Sequence, residues 1–258
     1  MTSFPYTFEQ LGPDYRICVS PAHKFGTDAF LLADFAARRS RERVCDLGTG
    51  CGIIPLLWFR WGLEPQTAYA VELQDQAFEQ LMVTAEENND RLAGRLIPIH
   101  QDLRQLGKTI PLATVDLVTC NPPYKPAGHG VPSPKEARLT ARHEISCTME
   151  DVCAAASRLL RFGGRLCVCQ RPERLPDMME AMRNHGIEPK RLRMVQQRGD
   201  KAPWLVLMEG KKGSRPFLQV EAPLIVEDGA GGFSPEMRRI YRLEQETAHA
   251  PTESQEDK

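Results

Sequence analysis

The sequence predicts an α/β fold built on a mainly parallel sheet with helices on both faces. Three observations carry this. Short apolar, strand-like runs alternate with helical stretches of roughly 10–15 residues, the signature of βαβ units. A glycine-rich turn, Asp46-Leu47-Gly48-Thr49-Gly50-Cys51-Gly52, joins one such run to a helical stretch. A length of 258 residues, with 41% hydrophobic and 26% charged residues, suits one large soluble domain or two small ones.

The elements follow in order. The stretch through Ser20 reads as an irregular or hairpin lead-in. Thr27 offers an N-cap to a helix over DAFLLADFAARR. Arg43–Leu47 is a strand, Gly48–Gly52 a turn and Ile53–Trp61 an apolar helix. Thr67–Glu72 is the second strand. Gln74–Asp90 repeats apolar residues at helical spacing, at Ala77, Leu81 and Ala85. Leu96–His100 and Thr114–Cys120 are the third and fourth strands. A Pro- and Gly-rich loop runs to about Ser146. Thr148–Arg161 is helical, Arg165–Gln170 a strand and Glu173–His185 a helix. Arg191–Gln196 and Trp204–Glu209 are late strands. The acidic stretch from Gln245 is expected to be disordered.

In such sheets ligands bind beyond the carboxyl ends of the strands. The glycine turn, Glu72, Asp102 and the tetrapeptide Asn121-Pro122-Pro123-Tyr124 therefore share one rim. The turn is spaced G-x-G-x-G and departs from the dinucleotide fingerprint G-x-G-x-x-G. Glu72, at a strand end, can accept hydrogen bonds from a ribose diol. A tight turn with a surface glutamate is the plainer alternative.

The tetrapeptide is the sharpest signal. Two prolines end a strand, because proline donates no ladder hydrogen bond. The side-chain oxygen of Asn121 and the carbonyl of Pro122 can then converge as two acceptors beside the ring of Tyr124. Such a site takes a planar NH2 group. Accepting both N–H bonds favours a pyramidal nitrogen whose lone pair faces an electrophile, and positioning supplies much of the rest.

On these residues the chain resembles the class I S-adenosylmethionine-dependent methyltransferases. DLGTGCG looks like their first motif and AVEL like their second. The resemblance implies a Rossmann-like, seven-stranded sheet with its last strand antiparallel, and S-adenosylmethionine as cofactor. It implies cofactor contacts at Asp46, Gly48, Thr49, Gly50, Gly52 and Glu72. Asp102, in HQDL, would meet the adenine amino group; a helix or turn cap is the plainer alternative. Phe25 and Thr27 could cover the cofactor, and Asn121 borders it. NPPY resembles the catalytic motif of amino-methylating enzymes, which gives Asn121, Pro122, Pro123 and Tyr124 catalytic positions.

FGTDAFLLADF, DLGTGCG, AVEL, NPPYKPAG and ARHE together resemble the bacterial tRNA(Val) adenine-37 N6-methyltransferase family, over about Phe8 to Tyr241. The resemblance implies methylation of an adenine N6 amino group in tRNA, beside the anticodon. An unpaired loop base costs less to extrude than a duplex base. Tyr124 would stack on it, while Lys125, Arg138 and Arg142 would hold flanking phosphates. Residues 1–40 would be lead-in and first helix, 41–243 the methyltransferase domain and 244–258 the tail. Glutamine N5 methylation of a protein and guanine-N2 methylation of rRNA use the same acceptors and stay open. The short stretch before the first motif disfavours the former. A non-catalytic nucleotide- or RNA-binding module is a further alternative, which the intact tetrapeptide disfavours.

Charge and cysteine refine this. The formal charge of -1 excludes a uniformly basic coat. Arg158–Arg198 nonetheless carries ten Lys/Arg against four Asp/Glu, a candidate phosphate-facing stretch. The eight cysteines lack a C-x-x-C pair and often sit in apolar runs, so they read as structural thiols of a reducing cytoplasm. Neither a metal site nor a membrane span is expected, and oligomeric state is unreadable.

Overall fold

The computed structural model describes residues 4–21, 23–36, 41–122 and 147–243. Its strands are β1 (Thr7–Leu11), β2 (Tyr15–Val19), β3 (Arg43–Leu47), β4 (Thr67–Glu72), β5 (Leu96–His100) and β6 (Val115–Cys120). They continue as β7 (Leu160–Gln170), β8 (Ile187–Gln196), β9 (Leu205–Lys212), β10 (Gln219–Val220) and β11 (Leu224–Ile225). The α-helices are α1 (Thr27–Ala36), α2 (Ile53–Arg60), α3 (Asp75–Glu87), α4 (Asn89–Leu92), α5 (Met149–Leu159), α6 (Leu175–Asn184) and α7 (Pro235–Tyr241).

The main sheet runs β5-β4-β3-β6-β7-β9-β8, with β10 and β11 both added alongside β8. Its pairs are parallel except that β9 is antiparallel to β7 and β8. The expected seven strands are thus present, with the antiparallel strand last among them. The two extra two-residue strands correct that number to nine. They form where the chain after β9 passes along the open edge of β8.

Alternation along the strands splits the core into two layers. Val44, Ala68, Ala70, Leu117, Cys167, Cys169, Leu205 and Leu207 pack with α1, α2 and α7. Cys45, Val71, Val118, Leu166, Val168, Val206 and Met208 pack with α5 and α6. Both faces of these strands are buried, as parallel sheets require. All eight cysteines are free and seven are buried. No described helix is long and apolar enough to cross a membrane.

The lead-in is a hairpin, β1 against β2, and it is pinned to α3. Thr84 Oγ1 accepts from Cys18 N, and Asn88 exchanges bonds with the backbone of Arg16. Gln80 reaches Cys18 O and His23 O. Thr27 is the first residue of α1, not its N-cap. Its hydroxyl is used in a tertiary bond instead, accepting from Tyr241 Oη at 3.1 Å. Thr148 caps α5 with a capping box closed by Asp151.

The basic stretch is mostly neutralised at home. Arg161, Arg165, Arg174, Arg183, Arg191, Arg193 and Arg198 all form ion pairs. Two of these pairs lie inside the protein. Arg165 and Arg191 share Glu209 Oε2 at 3.3 and 3.1 Å, and Arg165 also binds Glu42 at 2.8 Å. The same guanidinium groups donate to Ala36 O and Phe35 O, closing the C-terminal turn of α1.

Candidate active site

The turn after β3 is held by the end of β4. Gly48 N and Thr49 N both donate to Val71 O, at 2.9 and 3.0 Å. Gly50 N donates to Glu72 Oε2 at 2.9 Å. The other carboxylate oxygen of Glu72 accepts from Leu73 N and Gln74 N, at 2.9 and 2.8 Å. A buried carboxylate is thereby fixed by three backbone N–H groups at a parallel strand end.

The turn leaves space for a ligand. Gly48 and Gly50 have φ of +71° and +59°, and a Cβ built on either meets nothing within 4 Å. Deeper in, Asp46 is buried and accepts from Thr119 Oγ1 at 2.6 Å. The buried Thr49 hydroxyl lies beside this carboxyl, and neither it nor Asp46 Oδ2 makes a well-aligned hydrogen bond. Burial, helped by the Glu72 charge, pushes the Asp46 carboxyl up to about 7, against the pull of the Thr119 and Thr49 hydroxyls. Orphaned buried acceptors beside an open glycine backbone are what a polar ligand completes.

β6 delivers Asn121 to the same rim. Asn121 Nδ2 donates to Asp28 Oδ2 at 3.1 Å, and Cys169 Sγ donates to Asn121 Oδ1 at 3.0 Å. Pro122 follows, buried. Pro123, Tyr124, Lys125, Arg138 and Arg142 lie outside the described residues. Phe25 packs half-buried on the core, its ring centroid 6.0 Å from that of Phe30.

Asp102 has structural work on the rim. It caps the 3-10 segment Leu103–Lys108 through Arg104 N, and its carboxylate receives the Arg104 guanidinium. Those hydrogen bonds hold its carboxyl below the usual range. The cap anticipated as the plainer alternative is therefore real. A cavity of about 460 Å³ lies elsewhere, lined by Arg104, Asp151, Ala154, Ser157, Arg158 and His185, and includes none of the glycine-turn residues.

Sequence reasoning missed Asp28 as a partner of Asn121, and it missed Thr119 and Cys169 altogether. Asp28 stood out only as a helix-start residue. Its distance of 93 positions from Asn121 is beyond any local pattern.

Sheet order, cradle and rim acids together define a class I S-adenosylmethionine-dependent methyltransferase. Comparison with known proteins narrows this. A tRNA1(Val) (adenine(37)-N6)-methyltransferase of Tolumonas auensis is 30% identical over 92% of this chain and 94% of its own length. A protein of the same name from Photobacterium profundum is 26% identical over 92% and 96%. The chain belongs to the family of tRNA1(Val) (adenine(37)-N6)-methyltransferases. A predicted O-methyltransferase of Agrobacterium tumefaciens shares the fold, at a TM-score of 0.67 and 22% identity over 84% of this chain and 96% of that one. No family model matches the chain.

Proposed function

We propose that the protein transfers a methyl group from S-adenosylmethionine to the N6 amino group of adenine 37 in a valine tRNA, beside the anticodon. The observation that carries this is the fixed amide of Asn121 at the end of β6, on the rim that holds the Gly48–Gly50 cradle. The names of the relatives support the substrate.

S-adenosylmethionine supplies an electrophilic sulfonium methyl when bound. Glu72 would receive its ribose hydroxyls on the lone pairs its three backbone bonds leave over. Gly48, Thr49, Gly50 and Gly52 would let backbone approach, and the orphaned Asp46 Oδ2 would meet a polar hydrogen at the amino-acid end. Asp102 would reach the adenine amino group by sharing its carboxylate with Arg104. Phe25 and Thr27, at the start of α1, would flank the cofactor.

Asn121 Oδ1 and the Pro122 carbonyl would accept the two N–H bonds of the substrate amine. The lone pair is then aimed at the methyl, and no strong base is required before transfer. Pro123 would stiffen the turn and Tyr124 stack on the base. Lys125, Arg138 and Arg142 would hold the anticodon stem-loop through its phosphates.

Incubation with labelled S-adenosylmethionine and unmodified total tRNA, followed by digestion to nucleosides, tests this. Label is expected in N6-methyladenosine. Label confined to N2-methylguanosine, or to protein glutamine, overturns the assignment.

A further inference from the structure

We infer that Asp28 and Cys169 act as a two-sided clamp that sets which way the catalytic amide of Asn121 faces. The clamp rests on the catalytic reading of Asn121 given above.

An asparagine amide has two faces of opposite polarity, and rotation by half a turn exchanges them. Only one orientation presents Oδ1 as an acceptor for a substrate amine. Two neighbours of Asn121 select it. Asp28, as a carboxylate, has only acceptors and takes Nδ2–H at 3.1 Å. Cys169 is fully buried, and its thiol donates to Oδ1 at 3.0 Å. Reversal would set Oδ1 against a carboxylate and would exchange the thiol's donation to Oδ1 for a weaker N–H to sulfur contact. An amide oxygen carries two lone pairs, so a thiol on one is compatible with a substrate N–H on the other. That fits a single N–H bond at Oδ1 and the second at Pro122 O.

The clamp is itself braced. Asp28 Oδ1 accepts from Ala29 N at 3.0 Å, which fixes the carboxylate on the first turn of α1. Gly26 leaves it room, since a Cβ at that position would come within 2.7 Å of Asp28 Oδ1. Tyr241 Oη holds the adjacent Thr27, and its ring stacks on Phe30 at 4.4 Å. Asp28 is therefore a positioning residue, acting through Asn121.

The test compares Asp28→Asn with Asp28→Ala in the full chain, reading kcat, KM for tRNA and the Kd for S-adenosylmethionine. A residue with a merely structural role tolerates the near-isosteric amide better than Ala. The clamp demands the reverse, because an amide at this position sets an N–H2 group against Nδ2–H and drives the Asn121 amide to turn over. Asp28→Asn is expected to lower kcat about 100-fold, the scale of a misplaced reacting group. Asp28→Ala should lower it only about tenfold, near one lost hydrogen bond. Cofactor Kd should stay within about threefold in both. Adding Asn121→Asp to Asp28→Asn restores a donor–acceptor pair and should recover about tenfold in kcat. Equal losses, or a greater loss for Ala, overturn the clamp.

If Asp28→Asn no longer binds S-adenosylmethionine, Cys169 decides. Cys169→Ser should keep kcat within about twofold and Cys169→Ala should lose about fivefold; equal values overturn the clamp. Asn121→Ala, run alongside, separates the two levels of argument. Unchanged kcat there removes the catalytic reading itself. A loss there, without a greater loss for Asp28→Asn than for Asp28→Ala, removes the clamp alone.

Discussion

Two groups of carboxylates in this protein are treated in opposite ways. Glu42 and Glu209 face Arg165 and Arg191, and Glu221 adds a further contact to Arg191. Asp46 and Glu72, more deeply buried, have no cation beside them among the described residues; they are held by a hydroxyl and by backbone N–H groups. Burying a carboxylate without a counter-charge is costly, and folding normally avoids it. The first group carries its counter-charges and anchors α1 to β7, β8 and β9, with Arg165 Nε and Arg191 Nε left over. The second lacks counter-charges where the glycine turn opens, an arrangement that a polar ligand can complete.

Four substitutions probe this contrast, the largest effect first. Glu209→Ala leaves Arg165 and Arg191 short of a shared counter-charge. It should cost about 3–5 kcal/mol of folding stability, read by urea denaturation, while the folded fraction binds S-adenosylmethionine with unchanged Kd. An equal loss of cofactor affinity would erase the division between the groups.

Glu72→Ala should do the opposite. The cofactor Kd should rise about 100-fold in calorimetry, with a stability loss under about 2 kcal/mol. A Kd within a factor of about three of the parent would reject Glu72 as a ribose ligand.

Asp46→Asn tests the incomplete group through pH. The folded carboxyl titrates at about 7, whereas an unfolded one titrates near its ordinary value of 3.8. Between those values the folded state retains a proton that the unfolded chain has lost. The Asp46 contribution to stability is thus full below about pH 4 and is lost as pH rises through about 7. The ligand-free parent should lose more stability than Asp46→Asn over that window, seen as converging or crossing Tm curves. Parallel curves would show that Asp46 is not strained by burial.

The smallest effect belongs to a pair outside both groups. Arg239 meets Asp34 at 2.8 Å on the surface. Asp34→Asn should change stability by less than about 1 kcal/mol, as exposed pairs do. A larger loss would mean that burial is not what separates strong from weak ion pairs here.

The local pattern carried much of this molecule. β3, β4 and β5 fall on Arg43–Leu47, Thr67–Glu72 and Leu96–His100, as read, because each is an apolar run between polar turns. β8 begins at Ile187, four residues before its legible core, since Glu188 and Pro189 carry no strand signal and are recruited by pairing with β9, with Lys190 bulged between Pro189 and Arg191. β10 and β11 were invisible for the same reason: each exists only as a neighbour of β8. The glycine turn, Glu72 and Asn121 were legible because their spacing announces a strand-end site. The partners of Asn121 were not, because Asp28 and Cys169 reach it from other elements. Charge counting over Arg158–Arg198 registers cations but not the acids that fold against them.

The packing of α7 has a consequence for synthesis. Tyr241 stacks on both Phe30 and Phe233 and donates to Thr27, so it braces the first turn of α1. α1 emerges early from the ribosome, yet this brace comes some 200 residues later in the chain. A nascent chain can form the cofactor turn well before the helix start beside Asn121 is clamped. The brace is complete only once Tyr241 has been synthesised, so ribosome-stalled chains ending before Tyr241 would lack it at the first turn of α1.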